Sequence, residues 1–139
     1  QIALVRENVH TTFILNTLDY LSRGGRCSAV TAFGANLLSI KPSIEMVDGA
    51  LEVGKKYRGK IETVYGQYIR DQLSDPDKLD LSRAFLSHSG GGISEETLQA
   101  MKKEILRCAP FQEVQIIRAG CTISAHCGPK TATVMFMEK

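Results

Sequence analysis

The chain has no Cys-x-x-C pair: Cys27, Cys108, Cys121 and Cys127 are scattered, and five residues separate the last two. That spacing excludes a zinc knuckle, and no other cluster supplies metal ligands. Disulfide staples are not needed either, since 139 residues with 43% hydrophobic content can bury a core of their own. The thiols therefore read as reduced cysteines of a cytoplasmic protein. A dense Lys/Arg cluster is also missing. Seventeen basic and 15 acidic residues leave a formal charge of +2, which speaks against nucleic acid as a partner. The longest uncharged run, Cys27 to Ile40, falls short of the ~20 residues that cross a bilayer, so no transmembrane segment is expected. The opening Gln1-Ile2-Ala3-Leu4-Val5-Arg6-Glu7-Asn8 has neither the basic nor the apolar stretch of a signal peptide. Residues 1–9 read as the tail of a preceding helix or a linker, and 10–139 as one domain. There is no internal repeat, no low-complexity stretch and no carboxylate pair in a cleft-like context.

Strand and helix patterns alternate through the rest. Thr11-Thr12-Phe13-Ile14-Leu15 is β-branched, aromatic and apolar, as a buried strand requires. Asn16 or Thr17 caps a short helix from Leu18 to Arg23, stopped by Gly24-Gly25. Ser28 begins a second helix that runs to about Ile40 and ends at Lys41-Pro42. That helix carries no charged face, so it is either buried on most sides or lines a cavity. Ile44 and Met46, then Asp48-Gly49, then Leu51 and Val53 spell a hairpin. Lys55-Lys56-Tyr57-Arg58-Gly59 reads as a basic lead-in to a third helix with Ile61, Val64, Tyr65, Tyr68, Ile69 and Leu73 on one stripe. Ala84 to His88 forms a strand, and Ser94 caps a helix that buries Leu98, Met101 and Ile105. Val114 with Ile116, and Thr131 to Met137, form the last two strands, with a small-residue loop from Ala119 to Pro129 between them. The fold class is α/β: a two-layer sandwich, its mixed sheet of about six strands packed by helices.

Three places carry possible chemistry. His126 stands beside Gly128-Pro129, where an accessible imidazole is suited to an anionic group; a structural histidine is the plain alternative. Arg58, after Lys55 and Lys56, lies where a helix start disfavours cations, which points to an anionic partner; a solvated loop is the plain alternative. Arg26 after Gly24-Gly25 can approach an anion in the same way. Two further readings remain. His126 with Cys121 or Cys127 would make a thiol/His enzyme, and Ser89-Gly90-Gly91-Gly92 at a helix start would make a phosphate-binding module, although it lacks the lysine and spacing of a P-loop.

Several stretches together resemble one family. Leu18-Asp19-Tyr20-Leu21-Ser22-Arg23-Gly24-Gly25-Arg26 is similar to the "Leu-x-Tyr-Leu-x-x-Gly-Gly-Arg" element of DegV proteins, in their second domain. Leu38-Ser39-Ile40-Lys41-Pro42, the Asp48-Gly49 turn, Tyr57-Arg58-Gly59-Lys60 and His88 follow in the family's order. Ser124-Ala125-His126-Cys127-Gly128-Pro129-Lys130 resembles its "Gly-Thr-His-Thr-Gly-Pro-Gly", with Ser124-Ala125, Cys127 and Lys130 as departures. The resemblance covers residues 9–139 and implies a DegV C-terminal domain without its N-terminal domain. It implies a carrier with no chemistry of its own and no cofactor, binding a long-chain fatty acid such as palmitate, stearate or oleate. His126 would meet the carboxylate, with Arg26 near it, and Arg58 would serve a partner fatty acid kinase that forms the acyl phosphate. The tail would lie against Phe13, Leu15, Leu18, Val30, Phe33, Leu37, Ile44 and Met46.

Overall fold

The computed structural model describes residues 6–25 and 39–139. After a 3-10 turn at Arg6–Asn8 the elements are β1 (Val9–Ile14), α1 (Asp19–Arg23), β2 (Ile40–Val47), β3 (Ala50–Arg58) and α2 (Ile61–Gln72). A 3-10 turn at Pro76–Lys78 leads to β4 (Leu79–His88), α3 (Glu95–Cys108), β5 (Glu113–Arg118), α4 (Cys121–Cys127) and β6 (Ala132–Glu138). The six strands form one sheet in the order β3-β2-β1-β6-β4-β5. Only β4 and β5 run parallel, joined by the α3 crossover, so the sheet is mixed as expected.

The pleat sorts side chains onto two faces. Ile14, Ala84, Leu86, Val114, Val134 and Phe136 lie in the main core with the buried stripes of α2 and α3. At the core's margin Tyr68 Oη donates to the Thr12 carbonyl at 2.9 Å and lies 2.7 Å from the Thr12 hydroxyl, tying α2 to β1. Phe13 and Leu15 alternate with Ile14 and so face the other way. There Leu15, Leu18, Leu21, Ile44 and Cys127 form a second buried cluster, with Phe13, Leu51 and Val53 packed against it. This cluster lies against the short helices α1 and α4.

Local chemistry explains most boundaries. Asp48 at φ 49° and Gly49 at φ 79° make the tight turn of the β2–β3 hairpin, both in the left-handed region that such a turn needs. The Ser94 hydroxyl caps α3 by accepting from Thr97 N at 3.2 Å. Neither Asn16 nor Thr17 is the cap residue of α1; that place falls to Leu18, although Thr17 Oγ1 accepts from Asp19 N at 3.3 Å.

Three expectations are corrected. Lys41-Pro42 does not stop a helix: Ile40 opens β2, and Pro42 lies inside that strand, its carbonyl accepting from Leu15 N at 3.1 Å. Proline is tolerated there because the β2–β3 register shifts between Pro42 and Ile44, where the ladder is interrupted. The same irregularity corrects the next reading. Lys55, Lys56, Tyr57 and Arg58 do precede a helix, but as the end of β3; α2 starts at Ile61 after Gly59 and Lys60. Ile44 pairs with Val53 and Pro42 with Lys56, so β3 carries an extra residue that turns Tyr57 from the Val53 face into the main core. The bulge shows no strand alternation, and the dipole argument for Arg58 weakens because Arg58 ends β3, outside the first turn of α2 that starts at Ile61. Third, Ala119 to Pro129 is not a loop: Cys121–Cys127 forms α4, opened by Gly120 and closed by Gly128. The proposed helix from Ser28 lies outside the described residues, apart from Ser39 in a turn and Ile40 in β2.

Candidate functional site: the seam between α1 and α4

Two sequence motifs about a hundred residues apart meet in space. Gly24, at the C-terminal end of α1, abuts the imidazole of His126 in the last turn of α4: a Cβ built on Gly24 would lie 2.7 Å from His126 Cδ2. One turn earlier on α1, the Tyr20 ring packs on Gly128. Below the seam, Leu18 and Leu21 of α1 and Cys127 of α4 are buried in the second apolar cluster. His126 thus stands at the polar rim of an apolar cluster separate from the main core.

The chain fixes this arrangement from several sides. Lys41 Nζ donates to the Asn16 carbonyl at 2.7 Å, holding the corner between β1 and α1. Ala119 N donates to the His88 carbonyl at 2.9 Å, anchoring the lead into α4 at the end of β4. Past the helix, the buried Thr131 hydroxyl donates to the Cys127 carbonyl at 2.9 Å, and Tyr65 Oη donates to the Lys130 carbonyl at 2.7 Å.

The imidazole has a defined tautomer. Its Nδ1 lies 2.8 Å from the Thr122 carbonyl, one turn back in α4. A carbonyl only accepts, so Nδ1 carries a proton and Nε2 is the ring atom left for a ligand. A neutral ring offers a lone pair at Nε2. To donate to a carboxylate there, the ring must take a second proton and become imidazolium, which turns the contact into a charge-assisted bond.

Of the residues expected at this site, Phe13, Leu15, Leu18 and Ile44 come together in the second cluster. Met46, 56% exposed, lies outside it. Arg58 ends β3 opposite Ile40 and is exposed, its guanidinium bound to no described residue. Arg26, Val30, Phe33 and Leu37 fall outside the described residues. Sequence reading missed Leu21 and Cys127 as cluster members. Leu21 was detectable from its spacing to Leu18, but Cys127 was hidden by the loop assignment.

The competing chemistries find little support. Burial pushes the Cys127 thiol up, away from the thiolate a nucleophile needs. In the glycine turn, Gly90 N donates to His88 Nδ1 at 3.1 Å rather than standing open to a phosphate. That bond makes His88 an acceptor at Nδ1, and burial, then the nearby Arg118 charge, lower its pKa. A groove of about 860 Å³ runs between α3 and β5, away from His126. Its lining sets Leu106, Val114 and Ile116 among Glu95, Lys102, Gln112 and Glu113, and an acyl chain there would desolvate those charged and amide groups. Among the described residues, no group of His, Cys, Asp or Glu is placed to hold a metal, and no helix is long and apolar enough to cross a membrane.

The fold and its seam define an α/β domain with one histidine at the edge of an apolar cluster. A family profile described as an uncharacterised protein of the DegV family matches residues 1–139, and the chain belongs to that family. It is 31% identical over 128 residues to the DegV domain-containing protein TTE1491 of Caldanaerobacter subterraneus, covering 91% of this chain and 44% of the relative. The chain thus spans about half the length of the curated relatives it matches. Among solved structures it resembles a DegV family protein from Thermus thermophilus described for its fatty acid binding. That likeness has TM-score 0.76 and 25% identity, and covers 99% of this chain and 48% of the other. The Streptococcus pneumoniae fatty acid kinase B3 protein, loaded with linoleic acid, shares the fold with TM-score 0.80 and 20% identity, covering 99% and 47%. A Eubacterium eligens DegV protein loaded with heptadecanoic acid gives the same TM-score, 0.80, at 20% identity, covering 99% and 48%.

Proposed function

We propose that this chain is the C-terminal, lipid-binding domain of a two-domain DegV protein that carries a long-chain fatty acid. The acyl tail lies against the cluster of Leu15, Leu18, Leu21 and Ile44, and the carboxylate meets His126 Nε2. The observation that supports this best is the α1–α4 seam, which sets an imidazole with one free nitrogen at the rim of an apolar cluster. Each buried CH₂ contributes ~0.8 kcal/mol, so a C16 tail supplies on the order of 10 kcal/mol before ordering costs. The fatty acids bound by proteins of this fold favour the same reading. The other half of the relatives' length would complete the head-group site.

The domain performs no chemistry in this reading. Its cargo is handed to a kinase protein that phosphorylates the carboxylate. The exposed Arg58 is the residue we assign to that partner, and the name of the Streptococcus pneumoniae protein supports a kinase context. The cytoplasm is where such a carrier and its reduced thiols would work. The test is native mass spectrometry of the full-length protein. We expect an added mass matching palmitate, stearate or oleate, and weaker retention of that mass in His126→Ala. A lipid-free protein that also takes up no added oleate after stripping would overturn the proposal.

A further inference from the structure

We propose that Gly24 is a positioning residue for His126, its missing side chain forming the seat of the imidazole. Glycine is usually kept where the backbone demands it. Gly25 is such a place, at φ +61° with no described residue within 4 Å of where a Cβ would be. Gly24 is the reverse. At φ −74° and ψ −8° it has ordinary right-handed helical geometry, in which alanine loses less chain entropy than glycine. What excludes a side chain there is His126: a Cβ would fall 2.7 Å from Cδ2 and 3.4 Å from Nε2 of the ring. It would also lie 3.2 Å from the Tyr20 carbonyl, to which Gly24 N already donates at 2.9 Å, but that milder squeeze does not involve the ring.

The imidazole is therefore held on two edges. Nδ1–H is fixed on the Thr122 carbonyl at 2.8 Å, and the Cδ2–Nε2 edge rests on Gly24. A methyl group at position 24 pushes the ring off its seat, strains the bond to Thr122 and moves Nε2 from the rim of the apolar cluster. The functional half of this inference rests on the carboxylate reading of His126; the structural half does not.

The experiment compares wild type, Gly24→Ala, His126→Ala and the double variant in the full-length protein. Thermal melting should drop by several degrees in Gly24→Ala, whereas adding Gly24→Ala to His126→Ala should lower it little or not at all. The imidazole ¹⁵N shifts should report an Nδ1–H tautomer in wild type and lose that signature in Gly24→Ala. Oleate affinity should fall at least about tenfold. Equal destabilisation in both backgrounds, or an unchanged tautomer with unchanged oleate affinity, would overturn the proposal. If wild type binds no oleate, the carrier reading fails, while the melting and ¹⁵N results still decide the role of Gly24.

Discussion

The ring of Tyr20 on α1 rests on Gly128, the residue that ends α4, and leaves no room there for a side chain. Gly128 holds φ 79° and ψ 178°, a conformation that almost only glycine adopts. Gly128→Ala therefore combines backbone strain with displacement of Tyr20, and we expect it to cost about 2–3 kcal/mol. Urea unfolding measures this directly. A variant within about 0.5 kcal/mol of wild type would show that the α1–α4 contact matters little.

Acid should weaken the packing of α2 on α3 through one carboxylate. Glu104 on α3 accepts from Arg107 at 2.6 Å and from Arg70 of α2 at 2.6 Å. Arg107 first, and Arg70 with it, hold its carboxyl down to about 2 from an ordinary value of 4.5, against a smaller opposing effect of burial. Because the folded-state value is the lower one, the stabilisation is present above about pH 4.5 and is lost as the pH falls towards 2. The side chains of Arg70 and Arg107 are 49% and 64% exposed, and solvent screening reduces the effect to on the order of 1 kcal/mol. Unfolding free energies of wild type and Glu104→Gln should converge as the pH is lowered through this window. A constant gap across it would refute the assignment.

Tyr68 offers a test of the core beneath β1. Burial, above all, pushes its phenol up to about 12, so it remains a neutral donor to the Thr12 carbonyl throughout the physiological range. Tyr68→Phe preserves the packing but deletes that donor, and a loss of about 1–2 kcal/mol is expected. Denaturant unfolding with an unchanged slope would confirm that the effect is local; no loss at all would mean that water replaces the hydroxyl.

Ligand and proton should bind together at His126. With Nδ1–H committed to Thr122, Nε2 can donate to a carboxylate only as part of an imidazolium, so binding oleate should bring a second proton onto the ring. Titration calorimetry in buffers of different ionisation enthalpy should reveal proton uptake on binding, absent in His126→Gln. Equal heats in all buffers across the pH range would mean that the carboxylate is held by other groups.

Where residues obey one period, the sequence was a good guide. The Asp48-Gly49 hairpin, the apolar stripe of α2 and the Ser94 cap of α3 each rest on local chemistry, and the structure has all three. Reading failed where tertiary structure overrode the local pattern. The register shift between Pro42 and Ile44 reverses which side chains of β3 face the core, so Lys55 to Arg58 show no alternation and resemble a loop. Cys121 to Cys127 carries too little apolar surface to announce a helix; its Cys127 is the sole buried residue, and its ends are tied by Ala119, Thr131 and Lys130 to distant strands and helices. The same segment shows why the candidate site was half legible. The histidine stood out by its neighbours, but its partner Gly24 is adjacent only after folding.

The strand order has a temporal side as well. β6 lies between β1 and β4, with Val9 paired to Met137 and His88 to Ala132, so the middle of the sheet stays open until the last strand is in place. The α1–α4 seam joins segments about a hundred residues apart and borrows its anchors from that late region. During synthesis, then, a chain still lacking β6 would leave the edges of β1 and β4 unpaired and expose core residues such as Ile14 and Leu86 to solvent.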